Sequence, residues 1–271
     1  MFLLFRPAIS RRYLDNISRP IQIGWEPKAD DGHLGVLLRA SLVRLQAKFC
    51  AGDPAVQAQA KKMWDAYFEP SGGAGASYDA AAIPADFKIP VFKVMLAGAA
   101  SEEESARLHG VLMAHLGSLT ANAERKHVYL AIGANASPAI KRQVLEWAVS
   151  GELKMQDFFY PIGSVSQSSP EGLNLAWSFY QEKFEFLKDW LSKASPSLMD
   201  AAVVYSVAGF ATAEKADEIE AFFTTTSPDD PSAKQPKLPQ SNRKIMQTVE
   251  GIRTSAAFLT RLLADDLSAV L

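Results

Sequence analysis

The chain has 271 residues, 48% of them hydrophobic and 21% charged, with a formal net charge of -2 at pH 7. That length allows a sizeable core, and the charge balance lacks the basic excess of a nucleic-acid or acidic-membrane ligand. A single cysteine, Cys50, excludes an internal disulfide framework and fits a reducing, cytoplasmic setting.

The opening MFLLF is apolar but has no basic stretch ahead of it and runs straight into Arg6-Pro7, so neither a secretory signal nor a membrane span is predicted. Arg11, Arg12 and Arg19 form a small basic cluster, read as a solvated helix end rather than an anion site. After turns at Gly24-Trp25-Glu26-Pro27 and Asp30-Asp31-Gly32, the spacing of Leu37, Leu38, Leu42, Leu45 and Phe49 predicts a helix from Leu34 to Phe49. Asp53-Pro54 then combines a cap with a first-turn proline and opens a helix to Tyr67, with Val56, Ala60, Met63 and Trp64 on one side.

Residues 70–82 (PSGGAGASYDAAA) are expected to form a flexible linker. Their glycines follow no strand and precede no Gly-Lys-Ser/Thr, which argues against a phosphate cradle. Ile83-Pro84 is expected to open a helix that Pro90 kinks. Ser101-Glu102-Glu103-Glu104 has the form of a capping box for a helix carrying Leu108, Val111, Leu112 and Leu116. Further helices are predicted over Glu124–Ile132 and Pro138–Val149.

From Leu153 to Trp190 two helices are joined by a small-residue turn. The first carries Met155, Phe158, Phe159 and Ile162, with Pro161 expected to bend or end it. Ser169-Pro170-Glu171 restarts the chain, and Leu173, Ala176, Trp177, Tyr180, Phe184, Leu187 and Trp190 make one broad apolar face. Helices follow over Leu198–Phe210, Thr212–Phe223 and Arg243–Leu271. Residues 227–241 (SPDDPSAKQPKLPQS) are read as an exposed, flexible insertion. Helix starts recur at steps of roughly 30 to 50 residues, and no run alternates as a strand does, so the expected fold is all-α: one α-solenoid domain of stacked antiparallel helix pairs, HEAT or armadillo-like.

Catalytic motifs are missing. His33, His109, His115 and His127 include no pair four residues apart, so no helix offers the imidazoles of His-Glu-x-x-His to zinc. Gly163-Ser164 lacks the second glycine and the strand of a nucleophile elbow. The acidic runs Glu102–Glu104, Asp229-Asp230 and Asp265-Asp266 fall at helix ends or in loops, where solvated faces are expected. Cys50 is read as a buried thiol rather than a nucleophile. No catalytic residue, metal ligand or cofactor site is assigned.

The ordered series LFRPAIS, IGWEP, LLRASLVRL, AGDPAVQAQAKKMW, IPADFKIPVFKVML, MQDFFYPIGSV, LAWSFYQEKFEFL, AGFAT-AEKADEIEAFF and RKIMQTVEGIRTSAAFLTR resembles the C-terminal helical domain of the aminopeptidase N family of zinc metallopeptidases. The branch it is most similar to is that of puromycin-sensitive aminopeptidase. The likeness spans nearly the whole chain, although its start implies a domain cut at the N-terminal end.

The resemblance implies a peptide-chamber or regulatory domain that is inactive without a catalytic domain. The zinc and exopeptidase motifs of the full-length family have no counterpart here. Gln156 and Asp157 match the family's Gln-Asp pair, and with Tyr160 they are the candidate peptide-facing residues; Asp157 as an anchor of the helix start is the competing reading. Trp177, Phe222, Phe223 and Phe258 match family core positions. Where relatives carry an arginine, this chain reads Met199-Asp200-Ala201, which removes a bidentate ligand for a substrate carboxylate. The expected partners are a peptide or a catalytic aminopeptidase domain, with no nucleic acid and no membrane. The alternative is a free-standing helical scaffold that binds a peptide or protein.

Overall fold

The computed structural model describes residues 24–26, 28, 31–226 and 234–264. MFLLF, the Arg11, Arg12 and Arg19 cluster, Asp229-Asp230 and Asp265-Asp266 lie outside them. The described residues are all-α apart from one short two-stranded ribbon. They divide into two compact units that meet in sequence at Val144 and Leu145.

The first unit begins with α1 (Gly32–Phe49) and α2 (Pro54–Phe68). At the start of α1, Asp31 receives the Arg39 guanidinium, whose Nη1 also donates to Gly24 O at 2.6 Å. These bonds hold the Asp31 carboxyl below its usual range. Ala40, Leu42, Val43 and Ala47 are buried, whereas Leu34, Leu37, Leu38 and Leu45 on the outer side are exposed. Asp53 caps α2 as predicted, accepting from Ala55 N at 2.9 Å and Val56 N at 3.3 Å. Gln57 then reaches out of α2 to donate to Ala51 O and, at 2.9 Å, to Val94 O.

The middle of this unit is α3 (Lys88–Ala97), which touches α1 and α2 as well as α4 (Glu102–Ser118) and α5 (Asn122–Tyr129). Val91, Phe92, Val94 and Leu96 have no exposed surface, as expected of a helix apolar all round. The kink expected at Pro90 does not form. A 3-10 turn, Ala85–Phe87, precedes α3 and places Pro90 in its first turn, where a missing N–H costs no helical bond. Ser101 accepts from Glu104 N at 3.1 Å, but the Glu104 carboxylate takes Ala100 N at 2.9 Å rather than the amide of Ser101, so the capping box is displaced by one residue. Buried Asn135 ties Ser105 O to Ser137 N, and α6 (Pro138–Ala148) follows.

The second unit is built around α7 (Phe159–Ser166), packed on α8 (Pro170–Glu182) and, beyond α9 (Phe184–Leu191), on α10 (Pro196–Val207). Pro161 does not break α7, because it again occupies a first turn. The single helix expected through Trp190 is two, separated at Lys183, whose φ of -93° and ψ of 9° leave the helical range. Small residues let α7 sit close to its neighbours. A Cβ on Gly163 would overlap the Tyr205 ring, and one on Gly172 would overlap Val165 O.

Thr212 caps α11 (Ala213–Phe222) by accepting from Lys215 N at 3.3 Å. An antiparallel ribbon then pairs β1 (Thr224–Thr226) with β2 (Lys234–Pro236), Thr225 opposite Gln235. β2 falls within the stretch expected as an exposed insertion, and the three consecutive β-branched threonines of β1 favour extended backbone. The last described element is α12 (Asn242–Ala264), which packs on α11 and α10. Arg253 of α12 reaches Asp217 at 2.7 Å and Glu220 at 2.6 Å. Trp177 and Phe223 are buried and Phe222 is half-buried, in one cluster with Tyr180 and Phe184. Phe258, expected in the core with them, is 53% exposed because it lies on the outer side of α12, away from Ile245, Val249 and Ile252.

Candidate functional site

Gln156, Asp157 and Tyr160 lie on the turn that leads into α7. Asp157 N donates to Lys154 O at 2.8 Å and Tyr160 N to Asp157 O at 3.1 Å, which coils the chain before the helix begins. On this coil the three side chains differ in exposure. Gln156 points to solvent, Asp157 is 2% exposed, and Tyr160 is half-buried.

Asp157 Oδ2 is buried without a hydrogen-bond partner, an uncommon state for a carboxylate oxygen. Beside it in sequence, Phe158 is fully buried and packs edge-on against Trp190 at 5.2 Å. Tyr160 lies 4.5 Å from the Phe159 ring, and Phe159 in turn stacks on Tyr205 at 5.2 Å. Burial, with Tyr160 adding to it, pushes the Tyr205 phenol up. Tyr205 thus joins Tyr160 at this edge, although the sequence reading did not single it out. Its only local mark is an aromatic on a helical stripe, since the partner that admits it, Gly163, is distant in sequence.

At Met199-Asp200-Ala201, Met199 is buried and its sulfur accepts from Tyr180 Oη at 3.6 Å. Asp200 Oδ1 is buried and lacks a hydrogen-bond partner. This chemistry does not attract a carboxylate.

Three surface hollows have volumes of about 270, 330 and 390 Å³, and none of them is lined by Gln156, Asp157 or Tyr160. The first is mainly apolar, formed by Pro170, Leu173, Phe210 and Leu259 with Lys215 at its rim. The second lies between α9, α10 and the segment Lys237–Ser241. The third, in the first unit, is set over Trp64 and Met95.

The histidines are dispersed. His33 is exposed, and desolvation lowers the pKa of His109. His127 Nδ1 lies 3.4 Å from Glu124, whereas His115 is buried among aromatic rings. Among the described residues no three His, Cys, Asp or Glu side chains are grouped to hold a metal ion. Cys50 is buried. Glu102–Glu104 occupy the first turn of α4, where the positive helix end favours acids.

The model of the ERAP1-like C-terminal domain matches residues 5–254. The chain belongs to that family, the C-terminal domain of aminopeptidase N family members. It is similar to Aminopeptidase M1 of Arabidopsis thaliana, 25% identical over 246 residues, which are 90% of this chain and 25% of that protein. It is also similar to Aminopeptidase 2, mitochondrial, of Saccharomyces cerevisiae, 24% identical over 230 residues, covering 83% of this chain and 22% of the yeast protein. Aminopeptidase M1-B of Oryza sativa subsp. japonica is 25% identical over 239 residues, 88% of this chain and 24% of its own length. The chain therefore spans about a quarter of the length of these relatives.

Proposed function

We propose that this chain is the non-catalytic, peptide-facing helical part of a zinc aminopeptidase, acting with a catalytic domain that removes N-terminal residues from peptides. The observation that carries this is the family match over residues 5–254, in a chain whose sequence has no His-Glu-x-x-His. The Gln156 amide and the rings of Tyr160 and Tyr205 offer a peptide polar and stacking contacts. Zinc belongs to the catalytic domain in this reading, and the cytoplasm is the proposed compartment.

Purified chain assayed for zinc and for hydrolysis of an aminoacyl fluorogenic substrate is expected to show neither. Mixing it with the catalytic domain of a relative should raise turnover of long peptides more than of dipeptides. Stoichiometric zinc with turnover in the chain alone would overturn the proposal.

A second reading, a free-standing scaffold, is favoured by one observation: Leu34, Leu37, Leu38 and Leu45 expose an apolar stripe on α1. In that case mixing with the catalytic domain should leave peptide turnover unchanged, and Leu38→Glu should abolish capture of a partner protein.

A further inference from the structure

His115 of α4 is 1% exposed and walled in by aromatic rings. Centroid distances are 4.6 Å to Tyr78, 5.3 Å to Phe68, 5.4 Å to Tyr67 and 6.1 Å to Phe92, all edge-on. Tyr67 Oη lies 3.3 Å from Nε2, while Nδ1 has no hydrogen-bond partner. The surrounding titratable groups are Tyr67 of α2, Tyr78 of the following segment, Lys88 of α3, and Glu124 and His127 of α5.

Glu124, the carboxylate among them, is already engaged. Its Oε2 takes Lys88 Nζ at 2.7 Å and lies 3.4 Å from His127 Nδ1. A proton on His115 would therefore bring a second cation close to Lys88, with its Nδ1–H facing no acceptor. Desolvation, then Lys88, pushes the His115 pKa down to about 4.

Three of the walls stand on helices, but Tyr78 does not. It stacks on Tyr67 at 5.1 Å, and next to it Asp79 N donates to Tyr67 O at 2.8 Å. At the other end of the segment Gly75, with a φ of +85°, lies so close under Val111 O that a Cβ would overlap it. The segment is a flap attached at these points, and the His115 ring is the surface it closes on.

We propose that His115 is an acid-operated latch: neutral, it holds the flap of residues 72–82 shut through Tyr78, and protonated, it releases the flap and uncovers the aromatic box. The open form hydrates His115 but leaves Lys88 and the helical walls in place, so its imidazole binds the proton more readily than in the closed form, with a pKa raised toward the ordinary value near 6.5. Stability of the closed flap is thus fully present above about pH 6.5 and is lost as pH falls through about 4.

The test is hydrogen exchange on the whole chain, corrected for intrinsic rates, comparing peptides covering 72–82 with peptides inside α2. The flap's opening constant is expected to rise by up to about 30-fold between about pH 8 and pH 5, with α2 unchanged and with His115→Phe abolishing the dependence. An unchanged flap, an equal response in His115→Phe, or opening only together with α2 would overturn the latch. A nitrogen-15 titration of the wild-type imidazole keeps the test decisive if that variant does not fold. Titration near 6.5 with the flap closed would also refute it.

Discussion

Each unit has a short buried helix at its centre, and the two are made by opposite means. In α3 the space is filled by Val91, Phe92, Val94, Met95 and Leu96. In α7, Gly163, Ser164 and Ser166 leave room for neighbouring helices to approach, and the hydroxyls return to carbonyls of their own helix, Ser164 to Pro161 O at 2.9 Å and Ser166 to Gly163 O at 3.2 Å. The first centre depends on volume and the second on closeness. They should therefore fail differently, the first when a side chain is removed and the second when one is added.

The strongest way to break the comparison is Phe92→Ala, which deletes a ring in contact with Trp64, Tyr67 and Phe68. A loss of about 3–5 kcal/mol in urea unfolding is expected. Gly163→Ala should cost about 1–3 kcal/mol, because the new methyl meets the Tyr205 ring. Adding Tyr205→Ala sharpens the point: the pair should be less damaging than the sum of the two single changes, while a similar truncation beside Phe92→Ala recovers nothing. Asp53→Ala removes the acceptor of two amides at the start of α2 and should lower the melting temperature by an amount equivalent to about 1 kcal/mol. Smallest of all, Ser166→Ala removes a bond within one helix, and a change of no more than about 1 kcal/mol is expected in the same melt.

What was legible in the sequence was local. Asp53, Ser101 and Ser169 were recognisable as caps because the amides they serve lie two or three residues on. Apolar spacing gave the buried sides of α2, α4 and α8. The two prolines were misjudged through helix boundaries, since Pro90 and Pro161 are harmless in a first turn and would be disruptive a turn later. The break at Lys183 has no glycine or proline to announce it.

The surroundings of the candidate residues were the least visible. Asp157 and Gln156 are adjacent in sequence, yet one is buried and the other exposed, because the coil before α7 replaces the helical start that the spacing implied. Residues 70–82 look like a linker by composition. Nothing in their order shows that Tyr78 closes over a histidine whose other walls come from α2 and α3.

The clamp made by Gln57 bears on how this chain varies over time. Its amide serves Ala51 O and Val94 O together, and it passes so near Gly98 that a β-carbon there would overlap it. Positions 57 and 98 are therefore coupled: a larger residue 98 pushes the Gln57 amide off one or both carbonyls. The end of a flexible side chain yields readily, so a larger residue 98 is expected to cost these two hydrogen bonds rather than to meet rigid backbone.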